Sequence, residues 1–275
     1  MAKENYISLR GQERGQVYYV KDENGTPIQA LFSLHTLRRD AYDCAGNFEP
    51  KFNMPIIVTK DPRIIQKTFE IKKNDIVEIK GSFLTGKIVK HKKCPVCGLV
   101  NDYECASQVI APQYVGVLKT GIRSDNVGLK ELVNSVEISN ICKVIGRVCS
   151  PEIKTGITER GENFTTYQIA VNRKFFLYGT EDEEDHTDYP YVISYGTQAE
   201  LDAQTLKQGS LIYIDGYVHT MITPMEVKCA NEECGEIIKV DTQRMTITPY
   251  SVEYLRDYND VLSSTHQKSR DIGEN

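Results

Sequence analysis

The 275-residue chain has no tryptophan, so any flat contact surface must be built from its 16 Tyr and 8 Phe. No apolar run approaches the roughly 20 residues that cross a bilayer as a helix, and Met1-Ala2-Lys3-Glu4-Asn5-Tyr6 offers no signal-type stretch. The expectation is a cytoplasmic protein. Phosphate-binding Gly loops, dinucleotide fingerprints, nucleophile elbows and His-Glu zinc motifs are all missing, and the five His are scattered at 35, 91, 186, 219 and 266. Those absences argue against an enzyme. The acidic run Glu181–Asp185 with Asp188 lacks the ligand spacing of a calcium loop. It reads as a solvated loop, or as one that competes with a polyanion.

Charge is unevenly spread. Residues 1–128 hold 19 Lys+Arg against 14 Asp+Glu, a balance of +5; residues 129–275 hold 14 against 24, a balance of −10. Asymmetry of this kind hints at a nucleic-acid-facing part, and fits a simple divergence of surface charge equally well.

The sequence repeats itself. Met54-Pro55-Ile56-Ile57-Val58 aligns with Tyr189-Pro190-Tyr191-Val192-Ile193, Asp75–Gly81 with Ser210–Gly216, Lys93-Cys94 with Lys228-Cys229, and Arg38 with Arg173, all at an offset of 135. Beyond the cysteines the offset becomes 137, where Ile110-Ala111-Pro112 meets Ile247-Thr248-Pro249. Each unit is domain-sized and reads as strands. In the second unit they are Val136–Val148, with a bend at Gly146, then Thr165–Val171, Tyr191–Tyr195, Leu211–Val218 and Ile237–Thr248. A helix over Thr197–Leu206 separates the third from the fourth, as Pro62–Phe69 does in the first unit. Five strands with one helix between the third and fourth is the order of an OB-fold. The predicted fold class is all-β: two tandem OB-fold barrels over 1–124 and 125–258, then a disordered polar tail over 259–275.

Eight Cys in a cytosolic chain read as thiols or metal ligands. Cys94-Pro-Val-Cys97-Gly98 and Cys229-Ala-Asn-Glu-Glu-Cys234-Gly235 sit at matching places between strands 4 and 5. Structural zinc needs four ligands in a tetrahedron. Either Cys94, Cys97, Cys229 and Cys234 share one Zn2+ that clips the units together, or the first pair is completed by Cys105 and His91. The shared site is favoured because Thr242 stands where Cys105 has its counterpart. Cys142 and Cys149 read as core, and Cys44 carries no signal.

The second unit adds residue-level detail: Gly146-Arg147 and Pro151-Glu152, then Ala170-Val171-Asn172-Arg173, Val192 through Gly196 with Ala199-Glu200, and Lys207-Gln208-Gly209-Ser210 with Gly216. In order and spacing, residues 136–220 resemble the bacterial and phage single-stranded DNA-binding proteins of the OB-fold class. The resemblance implies sequence-tolerant binding of single-stranded DNA by stacking and phosphate neutralisation, in replication, recombination or repair. The family's stacking positions fall on Phe175, Tyr189 and Tyr195; Arg147, Arg173 and Lys174 are the candidate cations of the second unit, the last two beside Phe175 and Phe176. The first unit offers Arg38, Arg39 and Lys60 where the second has Arg173, Lys174 and Tyr195, and adds a basic stretch with Lys87 and Lys90. The Cys knuckles, which the common bacterial members lack, suggest a phage or mobile-element version. The family usually assembles four barrels, so two per chain imply a homodimer; replication or recombination proteins are possible partners. The tail ends without the family's terminal Phe, which leaves that recruitment route in doubt. An RNA binder and a protein-interaction scaffold remain open alternatives on the residues alone.

Overall fold

A computed structural model describes residues 4–39, 50–174, 177–179 and 186–255. Its first half contains β1 (Glu4–Glu13), β2 (Tyr18–Lys21), β3 (Pro27–Leu37), β4 (Phe52–Asn53), β5 (Ile56–Thr59), α1 (Pro62–Thr68), β6 (Ile76–Lys93) and β7 (Val100–Lys119). Helices α2 (Asp125–Val133) and α3 (Val136–Ser139) lead to β8 (Asn140–Val148), β9 (Lys154–Ile157), β10 (Asn163–Asn172), β11 (Thr187–Asp188), β12 (Tyr191–Tyr195), α4 (Gly196–Thr205), β13 (Leu211–Lys228) and β14 (Ile237–Leu255).

The hydrogen-bonded ladders close two circuits. In the first, β1 pairs with β3, β3 with β5, β5 with β7, β7 with β6, and β6 with β1. In the second, the same order runs β8, β10, β12, β14, β13 and back to β8. Each circuit has one parallel contact, Ile57 opposite Ile110 and Val192 opposite Ile247. Closure buries the inward-facing residues of every strand. Phe32, Leu34, Ile57, Ile79 and Ile110 fill one circuit, and Val144, Tyr167, Ile169, Ile212 and Ile247 the other, within one continuous apolar core. The all-β OB-fold expected from the strand order is the fold observed.

The circuits meet along a seam. Strands β1 and β8 pair antiparallel from Glu4 opposite Ile145 to Leu9 opposite Asn140. Two buried asparagines lock it. Asn5 accepts from Phe83 N at 2.8 Å and donates to Phe83 O at 3.2 Å; Asn140 does the same with Val218 N and O at 2.9 and 3.0 Å.

Three local expectations change. Val136–Ser139 is a helical turn rather than the start of a strand; four residues are too few for β-branched composition to separate the two states. Gly146 is regularly paired to Ile212, and it is glycine because a Cβ there would press on Ile169 and Val171 at 3.0–3.1 Å. The register shifts fall instead at Gly81 and Gly216, where a Cβ would stand 2.3 Å from the carbonyl oxygens of Ala111 and Thr248. Beyond those bulges β6–β7 and β13–β14 run on, well past the Val218 expected from sequence, as two long arms.

Candidate nucleic-acid interface

On the second circuit, β10 and β12 present one face outward. Phe164 lies opposite Tyr195, Thr166 opposite Ile193, and Gln168 opposite Tyr191. A cleft of about 590 Å³ covers the Tyr191 end. It is lined also by the Cys149–Glu152 segment, by Met221 and Arg244 at the root of the second arm, and by Gln108 of the first. A second cleft of about 680 Å³ covers the Tyr195 end. Ile193 and Tyr195 are alternate residues of one strand, roughly 7 Å apart, so the clefts are neighbours on one face.

The second cleft joins the two circuits. Arg38, just past the end of β3, places its guanidinium carbon 4.6 Å from the centroid of Tyr217, and Arg39 lies 4.9 Å from that of Tyr250. The two Tyr rings are 5.1 Å apart. Lys51, Arg160 and His219 add further basic groups to the walls, with Glu162 the one acid among the lining residues. Tyr195 is half-buried; burial pushes its phenol up, the charge of Arg38 opposes that shift, and Glu162 adds to it. Guanidinium planes and phenol rings together suit stacking of flat bases, and the surrounding cations suit phosphates.

The expected DNA-binding residues therefore divide. Arg38 and Tyr195 come together in the second cleft; Arg39 stands over Tyr250 but is tied to Glu137, its Nε donating to Glu137 O at 3.1 Å. Arg173 does not join them: its side chain is 3% exposed and ion-paired with Asp188 at 3.0 Å. That corrects its assignment to a groove, because a phosphate cannot reach it. Lys174 pairs with Glu4, Arg147 donates to Gly209 O at 2.6 Å, and Lys87 pairs with Glu104 at 2.9 Å. Lys90 lies on the first arm, and Lys60 lines a separate cleft with Arg63 and Tyr178. Tyr189 lies outside both clefts of the β10–β12 face; its amide donates to Thr85 Oγ1 at 2.8 Å. Phe175, Phe176, the acidic run 181–185, Cys44 and the tail 259–275 lie outside the described residues. Sequence reasoning missed Tyr217, Tyr250, Tyr191, Lys51 and Arg160.

The arms converge on four sulfurs. Cys94, Cys97, Cys229 and Cys234 lie with all Sγ atoms within 4.8 Å of one another. Cys94 to Cys234 is 3.8 Å and Cys97 to Cys229 is 3.6 Å. Each knuckle closes on a left-handed glycine, Gly98 at φ 76° and Gly235 at φ 62°. Cys94 N donates to Leu99 O at 2.8 Å and Cys229 N to Glu236 O at 2.9 Å. The amides of Cys97 and Val96 bring the Cys94 thiol down to about 7 against the pull of burial. Cys234 rises to about 11: the Glu236 amide lowers it, but burial and the three neighbouring sulfurs outweigh that. Val227, Ile238 and Val240 pack beside the cluster. Cys105 sits opposite Ile88, outside this set, and His91 Nδ1 is bonded to Asp102 at 2.6 Å. The shared arrangement, not the one completed by Cys105, is the one the arms build. Cys142 is buried as expected, whereas Cys149 is half-buried and lines the first cleft.

Residues 139–233 match the model of the Single-strand binding protein family. Among solved structures, wild-type single-stranded DNA binding protein from Thermus aquaticus is similar at 12% identity, over 93% of this chain and 95% of its own, with a TM-score of 0.60. A deletion mutant of that protein gives 13% identity, 94% and 98% coverage, and a TM-score of 0.57. Likeness at such identity is one of fold. No curated protein matches the sequence. Residues 139–233 are thus similar to the Single-strand binding protein family, and over nearly the whole chain the likeness to the Thermus aquaticus structures is one of fold.

Proposed function

We propose that this chain is a tandem pair of OB barrels that binds single-stranded DNA without sequence choice and does no chemistry on it. The observation that carries the reading is the cleft between the circuits, where Arg38 lies over Tyr217 beside Tyr195. Bases stack there and along Tyr191, and Lys51 and Arg160 neutralise phosphates. The four thiolates hold one structural Zn2+. Four ligands at 2.3 Å from zinc define a tetrahedron with edges of about 3.8 Å, which the sulfur separations of 3.8 and 3.6 Å match. Coating of unpaired DNA in replication or recombination, in the cytoplasm and as a homodimer, is the accompanying role, and the Cys arms are the ground for a phage or mobile-element setting.

The test is a titration with oligo-dT followed by tyrosine fluorescence, which 16 Tyr and no Trp make clean. Quenching is expected at low salt, weaker with a matched RNA oligomer. Arg38→Ala should raise Kd about tenfold, in line with one stacking contact of roughly 1–3 kcal/mol. No quenching at low salt refutes the reading.

A further inference from the structure

Positions 135 residues apart make the same bonds at the two ends of the seam. Thr85 N donates to Asp188 Oδ1 and Thr220 N to Asn53 Oδ1, both at 2.9 Å. Tyr189 N and Met54 N donate to the hydroxyls of Thr85 and Thr220 at 2.8 and 2.9 Å. Arg173 N reaches His186 O, and Arg38 N reaches Lys51 O, each at 3.0 Å. Asp188 and Asn53, at the centre of these sets, are 0% and 2% exposed.

The two residues differ in one terminal atom. Asp188 Oδ2 accepts from Asn5 Nδ2 at 3.3 Å and pairs with Arg173 at 3.0 Å. In Asn53 the second terminal atom is Nδ2, a donor, which finds no acceptor among the described residues. The orientation of the amide is set by Oδ1, which faces the Thr220 N–H. A buried donor left unmatched costs stability; a carboxylate here would remove that cost and add its own desolvation, which an ion pair like that of Asp188 with Arg173 offsets.

The arginines follow the difference. A guanidinium carries only donors, so it is drawn to a carboxylate and gains nothing from an amide nitrogen. Arg173 is pulled into the interior beside Asp188; Arg38, at the matching place, lines the cleft over Tyr217. The rings divide the same way. Tyr195, Tyr217 and Tyr250 line the cleft with Arg38, while their counterparts at the offsets of 135 and 137 are Lys60, Ser82 and Gln113; Tyr178 is the ring among the described residues that line the cleft holding Lys60 and Gln113.

We propose that Asn53 is a positioning residue: by declining the ion pair that Asp188 makes, it keeps Arg38 in the cleft beside Tyr217, where an unpaired polynucleotide would meet it. This rests on the single-strand-binding reading above. The test compares Asn53→Asp, Asn53→Ala and Arg38→Ala by oligo-dT titration and thermal unfolding. N53D should melt no lower than wild type yet bind about tenfold more weakly, with the log–log salt slope reduced by about 0.7, the share of one phosphate contact on a single strand. R38A should show the same loss, and N53D with R38A together no more than either. N53A loses the Thr220 bond and offers no carboxylate; it should melt lower and still bind within about threefold of wild type. A purely structural role would move affinity and stability together. N53D binding like wild type while R38A is weakened overturns the inference and leaves the function intact, as does N53A binding tenfold more weakly, whatever N53D does. Wild type that ignores oligo-dT overturns the function itself.

Discussion

Replacing one sulfur of the thiolate cluster should release the arms and leave the circuits folded. Cys229→Ser is the informative change, because Cys229 is buried and a serine hydroxyl is a poor zinc ligand. Zinc in a site of this kind contributes on the order of 10–16 kcal/mol of apparent binding energy at pH 7 in small peptides. Without it, the junction of the arms keeps mainly Val227, Ile238 and Val240. At roughly 1.5–3 kcal/mol per buried aliphatic side chain they supply at most about 9 kcal/mol. Against that stands an ordering cost of roughly 1 kcal/mol or more for every residue of two long ribbons, and an isolated two-stranded ribbon is marginal in water. The arms should therefore fray beyond the Gly81 and Gly216 bulges. Wild type purified under reducing conditions should carry one zinc per chain by elemental analysis, and C229S less than about 0.2. Hydrogen exchange should accelerate over 87–107 and 221–242 while the β1–β8 seam stays protected. Zinc-free wild type, or arm amides equally protected with and without a chelator, would refute the reasoning.

Asp188→Ala removes the buried ion pair with Arg173 and the bonds from Thr85 and Asn5. It should cost about 3–5 kcal/mol in urea unfolding, and a loss under about 1 kcal/mol would show that the pair is not the lock it resembles. Glu13 is buried, which raises its pKa; the charge of Asp75 adds to the rise and the Gly15 amide opposes it. A raised acid favours folding while protonated, so that contribution is present below the ordinary carboxyl value of 4.5 and is lost as pH climbs through the higher folded value. Glu13→Gln should accordingly melt above wild type at pH 7, with the gain vanishing below about pH 4.5; a gain confined to acid would contradict the sign.

Strand order, the helix between strands 3 and 4, and the four cysteines were legible because each is written twice. A register of 135 carries Ile57 onto Val192, and both make the single parallel contact of their circuit. What escaped depends on pairs distant in sequence. Arg173 reads as a groove cation until Asp188, on the two-residue strand β11, is seen beside it. The arm after Val218 was not read from the sequence, where the repeat resumes only at the cysteines. Pro224 lies opposite Asp241 of β14 and beyond Gly216, the last β13 residue paired to β8, where the arm has a partner strand on one side only. Tyr217 and Tyr250 sit in strands full of core residues, and only the arginines over them mark them as cleft walls.

The antiparallel β1–β8 seam has a directional consequence. It relates the circuits by an approximate twofold axis, so any groove built at one end of the seam has a counterpart at the other with the opposite sense. A polynucleotide has polarity. Two equal clefts related in this way would ask a continuous strand to run both ways across one molecule, and they would compete for it. Asn53 against Asp188, and three tyrosines against Lys60, Ser82 and Gln113, break that equivalence at the places where base and phosphate would be read. On the proposed function, a strand laid in the cleft at Arg38 would run one way past the seam, and strands labelled at the 5′ or the 3′ end should then be bound in one orientation.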